Sequence, residues 1–495
     1  MDSSQNQDQD QDQTPAPQPR YKQTKIVNHF SSDNPLPLEI SSRIDCSLLK
    51  AWVMAGIPFE VIENPFILDL FKNLNPAYIP PSRTTLSGRC LDEEISHVNK
   101  KIESELEIAD SLTLTLDGWT FKRNESLYNY VVTTPNRKEY LVALRNYSME
   151  LHTGEFLASE ISKIVEKIGL DKFTAVVTDN ASNCRVARRM IEEKYGHIWD
   201  IRCAAHAINL IAADLILLEY NSLITNSHVS LLIQDEEFFV NCHHIRSIWA
   251  PIKECINILK SKSATLADCF MQMIKLAIAI FRLPSSNPYK VSAIQIFNRR
   301  YLEFQHPAYL LCYFLHPYYR GLSLNGEGFR NAAITATTLW QNLGYSEQEC
   351  KELLTQFQKY DQKLKPYDLS YEKNMDMPEL WWDSIRSKPY HLRNLALRLF
   401  GIAVLQTGCE RNFSTLKWII GDRRTRLDVQ KLEGISKIRS YYLTSIKNEL
   451  SYYGKHLDEA ELREVANISA VGEIVALDDN NDNTNYLLLE EDQVT

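Results

Sequence analysis

The sequence predicts an α/β protein: a mixed β-sheet interrupted by a large all-helical insertion and preceded by a helical lead-in. Three observations carry this. Residues Ser111 to Asp117 read S-L-T-L-T-L-D, with Leu112, Leu114 and Leu116 on one face, which is the period of a half-buried strand. Between about residues 111 and 219, short β-patterned runs alternate with longer runs of helical period. From 220 to 375 the apolar positions follow the helical period, with few alternating stretches.

The elements follow in order. Residues 1–19 are mostly Gln, Asp and Pro, too polar to bury a core, and read as a disordered tail. Residues 20–110 read as a mainly helical region, broken at Pro80 and Pro81. After the first strand, Tyr128–Thr134 and Glu139–Tyr147 read as strands joined by a turn at Pro135, Asn136 and Arg137. Phe156, Leu157, Ile161, Ile164, Val165 and Ile168 mark a helix that Gly169 ends. Phe173–Thr178 is a short apolar strand running into Asp179. A helix over Cys184–Tyr195, a strand near Ile198–Arg202 and a helix from Ala204 to about Glu219 complete a β-β-β-α-β-α-β-α order. A meander followed by helical crossovers is the order of a ribonuclease H-like fold. The insertion occupies 220–375, residues 376–445 return to the core, and 446–495 read as helix and then an acidic flexible tail.

Composition excludes some functions. With 44% hydrophobic and 24% charged residues, the chain can build a sizeable core. Its formal charge of −9 excludes a polybasic nucleic-acid coat and leaves room for a local basic face. The ten cysteines are scattered without a CxxC pair, so neither a zinc finger nor a disulfide framework is expected. A signal peptide and a membrane span are not expected either.

Asp117 and Asp179 end two strands that are neighbours in the expected sheet. Two ionised carboxylates side by side repel unless a cation lies between them. A pair of Mg²⁺ or Mn²⁺ ions about 4 Å apart suits such oxygen ligands and in-line attack at a phosphodiester. Equally, Asp179-Asn180-Ala181-Ser182-Asn183 can cap the next helix. Cys203 and His206 supply two zinc-type ligands, and Cys242, His243 and His244 would be needed to complete a site; a buried contact at a helix start is the simpler reading. Glu410 opens an apolar helix and is followed by Arg411, Lys417, Arg423, Arg424 and Arg426. These residues read as a salt-bridged helix start with a solvated turn, or as an acid facing a metal-bound phosphate with cations on a DNA backbone.

The chain resembles the hAT superfamily of DNA transposases and their domesticated relatives over about residues 20–445. The resemblance rests on Leu114-Thr115-Leu116-Asp117-Gly118-Trp119-Thr120, His152-Thr153-Gly154, Val177-Thr178-Asp179-Asn180-Ala181-Ser182-Asn183, Cys203-Ala204-Ala205-His206-Ala207-Ile208-Asn209-Leu210 and Glu410-Arg411-Asn412-Phe413-Ser414, in that order. It implies a ribonuclease H-like core split by a helical insertion, with Asp117, Asp179 and Glu410 as a catalytic acidic triad holding two Mg²⁺ or Mn²⁺ ions. It also implies that Cys203 and His206 help arrange the site, and that Arg411, Arg423 and Arg424 support it or touch DNA. DNA is the implied partner, the nucleus the implied compartment, and Trp381–Tyr442 the implied self-association region. Three departures stand out: no Cys/His cluster resembling a BED zinc finger precedes residue 90, the Arg-Trp segment expected after the Cys-x-x-His helix is missing, and 218–242 is short and rearranged. A non-catalytic, DNA-associated dimer is therefore the alternative expectation.

Overall fold

The computed structural model describes residues 36–120, 125–217, 236–261, 263–372, 377–420, 428–450 and a few positions from 453 to 466. Within them the chain divides into two compact units, Met1–Ala51 with Pro58–Cys90, and Trp52–Ile57 with Leu91–Thr495. In the first unit, helix α1 (Leu38–Met54) begins and helix α2 (Pro65–Leu74) follows. Asn64 caps α2 by accepting from the Phe66 N–H, and Pro65 fits the first turn, where no N–H is needed. The Tyr78 hydroxyl donates to Asp45 at 2.7 Å.

The second unit contains a five-stranded mixed sheet. Helix α3 (Leu91–Ile108) leads into strands β1 (Leu112–Thr120), β2 (Ser126–Thr133) and β3 (Glu139–Asn146). Helix α4 (Gly154–Ile168), strand β4 (Phe173–Thr178), helix α5 (Ser182–Lys194), strand β5 (Trp199–Arg202) and helix α6 (Ala204–Leu217) follow. The strand order is β3-β2-β1-β4-β5. β1 pairs antiparallel with β2, and β2 with β3; β1–β4 and β4–β5 are parallel. All six residues of β4 are buried, as expected of a strand covered on both faces. The expected strands and helices therefore form at the expected places. One local reading changes: β1 does not end at Asp117 but continues to Thr120. Gly118 lies opposite Tyr128 in the register, and a Cβ there would come within 2.8 Å of the Tyr128 ring. The glycine makes room for that ring rather than for a turn.

Among the described residues, eight helices lie between Glu236 and Phe400. They are α7 (Glu236–Leu259), α8 (Leu266–Phe281), α9 (Lys290–Phe304), α10 (Pro307–Leu315), α11 (Gly326–Asn342), α12 (Glu347–Asp361), α13 (Pro378–Ser384) and α14 (His391–Phe400). Capping boxes at Thr265/Asp268 and Ser346/Glu349 fix the starts of α8 and α12. Their apolar faces share one continuous core with Val177 of β4, Ile201 of β5 and Ile208 of α6. The insertion is thus packed onto the parallel side of the sheet.

Helices α15 (Thr407–Ile420) and α16 (Val429–Thr444) return to the sheet, and a short helix, Ile446–Glu449, follows. α15 packs on β1 and β2, and α16 on β3 and α3. Leu395 and Leu399 of α14, and Leu432, Ile435, Ile438 and Tyr442 of α16, are buried within the chain itself. These residues of the stretch implied as a self-association region contribute to the chain's own core.

Candidate active site

The site begins with the sheet. Thr115 of β1 stands beside Val177 of β4 in parallel register. Extending both strands by two residues brings Asp117 beside Asp179, at the same end of the sheet. The peptide N–H of Gly118 donates to Asp117 Oδ1 at 2.9 Å. Asp179 Oδ1 accepts the Ala181 N–H at 3.1 Å, which closes the turn before α5; the helix itself, with Ala181 as its N-cap residue, carries no side-chain capping bond, so the capping reading of this segment is not met.

Glu410 arrives by a defended route. After α14 the chain runs through the buried segment Ile402–Gln406. Arg137, in the β2–β3 turn at φ 59°, donates to the carbonyls of Ile402 at 2.7 Å and Phe400 at 2.9 Å. The Ala403 N–H donates to Thr113 Oγ1 at 3.1 Å, and the Ala204 N–H donates to the Val404 carbonyl at 3.2 Å. The returning segment is therefore tied both to β1 and to the start of α6. Asn129 of β2 then donates to the Cys409 carbonyl at 3.0 Å, and the buried Cys409 thiol bonds Thr115 Oγ1. These bonds seat the first turn of α15, which carries Glu410, over β1 and β2.

Electrostatics register the meeting of the three acids. Burial first, then the charge of Asp179, and more weakly that of Glu410, push the Asp117 carboxyl up to about 7; bonds from the Gly118 N–H and the Gln406 side chain pull the other way. The same neighbourhood raises the Tyr128 hydroxyl, chiefly through burial. Cys184, pushed up to about 12 by burial and by Asp179, is a neutral thiol that hydrogen-bonds the Asp179 side chain. Among the described residues, no three His, Cys, Asp or Glu side chains are grouped so that they can hold one metal ion together. Asp117 lies close enough to Asp179 and Glu410 to feel their charge, and carboxylate oxygens are the donors that hard divalent cations take.

Cys203 and His206 occupy distinct positions. Cys203 is buried, its thiol pushed up to about 11 by burial, and its sulfur receives the backbone N–H groups of His206, Gln406 and Ala205. A protonated thiol surrounded by N–H donors serves as an anchor for the returning segment rather than as a zinc thiolate. His206 lines a small cavity with Asn180, Arg202, Arg300 and Glu303. The side chain of Cys242 lies outside the described residues, as do Arg423 and Arg424. Arg411 pairs with Glu139 at the start of β3. Trp119 is half-buried against Phe413, with ring centroids 5.6 Å apart.

Four supporting residues escaped the sequence reading. Gln406, buried, reaches Asp117 with its side chain. Asn129 holds α15. Arg188, with no exposed surface, hydrogen-bonds Thr178 Oγ1 and the Asp179 carbonyl and pairs with Asp200. Glu303 holds Asn180 at 3.0 Å. The spacing of Cys184, Ala187, Arg188 and Ile191 does place Arg188 on the apolar stripe of α5, which is a readable signal for a buried arginine.

Residues 81–227 match the family described as a domain of unknown function (DUF659). The chain is also similar to two Zea mays proteins, an AC transposase and an AC9 transposase, each 26% identical over 181 residues. The matched stretches cover 33% of this chain but only 22% and 21% of those proteins, about a fifth of their length. Among the described residues, no helix is long and apolar enough to cross a membrane. The motif order and these similarities together support the resemblance of this chain to hAT-like transposases.

Proposed function

We propose that the chain is a transposase-like enzyme that cleaves and joins DNA strands, with a ribonuclease H-like core and Asp117, Asp179 and Glu410 as its acidic triad. The observation that carries this reading is at Asp117: burial first, then the charge of Asp179 and, more weakly, that of Glu410 on α15, push its carboxyl up to about 7. Supporting it are the strand order and the transposases among its relatives. The three carboxylates would hold Mg²⁺ or Mn²⁺, which supplies charge neutralisation at the phosphodiester and an activated water or 3′-hydroxyl. The chain's own contribution is placement. Gly118 and Gln406 orient Asp117, the turn at Ala181 orients Asp179, and Asn129 together with the Cys203 sulfur sets the approach of Glu410. DNA is the proposed substrate and the nucleus the proposed place of action.

Purified protein is expected to nick supercoiled plasmid in the presence of Mg²⁺ or Mn²⁺, and Asp117→Asn to lower the rate by about 100-fold or more, as loss of a charged group stabilising a transition state does. Equal background rates from both proteins would reject the enzyme reading. One observation favours the second reading, a non-catalytic DNA-associated protein: no ready-made three-ligand cluster stands among the described residues. Under that reading, DNA binding weakens as salt rises but no divalent-dependent nicking appears.

A further inference from the structure

We propose that Glu303, on the insertion helix α9, is a positioning residue for Asp179, and that the insertion fixes one acid of the site through it. This rests on the reading of Asp179 as a cation-holding acid. Asn180 directly follows Asp179 and donates its side-chain amide to Glu303 Oε2 at 3.0 Å. The other end of that amide, Asn180 Oδ1, is buried without a partner. Glu303 thus satisfies the buried end of the side chain that can be satisfied, and its loss would leave the whole amide unpaired. Glu303 Oε2 also stands 3.6 Å from Arg202 at the end of β5 and 3.5 Å from Arg300 on its own helix. One carboxylate oxygen therefore ties the loop after β4, the end of β5 and the insertion together, beside the cavity that His206 lines.

The loop has little other freedom. Arg188 holds the Asp179 carbonyl from inside, the Ala181 N–H holds Asp179 Oδ1, and Asn183 donates to the His152 carbonyl at 2.9 Å. Asn180 faces away from these, toward α9, so Glu303 controls the one side of the loop that the sheet unit's own helices leave to the insertion. Groups that orient a metal-holding side chain typically matter by about 10–100-fold in metal affinity or rate, without touching the substrate.

The test uses the full chain and Mn²⁺ alone, with free Mn²⁺ followed by electron paramagnetic resonance and the thermal midpoint recorded alongside. Glu303→Ala is expected to weaken Mn²⁺ binding by about 10-fold or more. It should lower the nicking kcat similarly while leaving the affinity for plasmid unchanged. Glu303→Gln keeps an oxygen that can accept from Asn180 and is expected to restore most of both. Mn²⁺ affinity in Glu303→Ala equal to that of the parent overturns the proposal, as does Glu303→Gln behaving like Glu303→Ala. If the parent itself binds no Mn²⁺ at a site that Asp117→Asn abolishes, the acidic-site reading fails, and the positioning role falls with it.

Discussion

Asp117→Asn raises the thermal midpoint of the cation-free protein at pH 8, and raises it less at pH 5. Asp117 titrates at about 7 in the fold, against 3.8 for a free aspartate, with burial the largest cause and Asp179 the next. A carboxyl raised in this way favours the folded state while it is protonated. Its contribution is fully present below the unfolded value and is lost as pH rises toward 7, because only the folded chain still holds the proton in that window. Above 7 the folded protein carries a charge that its surroundings oppose. Asparagine has nearly the same shape and no charge, so it removes the opposition. A full shift of about three units corresponds to about 4 kcal/mol. Asp117 keeps some solvent contact, so a gain of about 1–3 kcal/mol at pH 8 is the reasonable expectation. Differential scanning calorimetry at the two pH values reads it. A midpoint at pH 8 that is unchanged or lower contradicts an uncompensated charge at this position. A residue that costs stability where it stands is typical of a site selected for chemistry.

Arg188→Ala destabilises the protein by about 3–5 kcal/mol, the range for breaking a buried ion pair from one side. The Arg188 guanidinium is wholly buried and serves three acceptors at once: the Asp200 carboxylate, Thr178 Oγ1 and the Asp179 carbonyl. Removing it strands acceptors on β4, β5 and the loop that carries the acid. Arg188→Lys is expected to recover part of the loss, since an ammonium carries the charge but cannot span the same fork of acceptors. Urea denaturation of the three proteins measures this. A loss below about 1 kcal/mol for Arg188→Ala, the level of an exposed pair, would show that Arg188 does not hold the strand ends.

The sheet was legible because its signals are local. Leu112, Leu114 and Leu116 alternate along β1, and Phe173–Thr178 is short, apolar and β-branched, so both strands could be read within a few residues. Asp117 and Asp179 were legible for the same reason, since each sits at the end of such a run. The continuation of β1 past Asp117 was not legible, because Gly118 answers to a cross-strand neighbour, Tyr128, which no local pattern reveals. The route of Glu410 was not readable from periodicity. It depends on Arg137 meeting Ile402, Ala204 meeting Val404 and Asn129 meeting Cys409, pairs separated by some two hundred residues or more. Only the resemblance of the motifs placed Glu410 with the aspartates. Among Arg185, Arg188 and Arg189, only the position of Arg188 on the apolar stripe of α5 marks it as buried. The packing of α16 was not readable either, because its partners in the chain, β3 and α3, lie far away in sequence.

The central claim is that three carboxylates from distant parts of the chain gather around divalent cations. Its most direct test is anomalous diffraction from crystals of the protein soaked in Mn²⁺. The account predicts a peak at ligand distance, about 2.2 Å, from carboxylate oxygens of Asp117 and Asp179, with Glu410 contributing to the same site or to a second peak about 4 Å away. Bound Mn²⁺ with Glu410 turned away from it, or no peak beside Asp117 at saturating Mn²⁺, would contradict it.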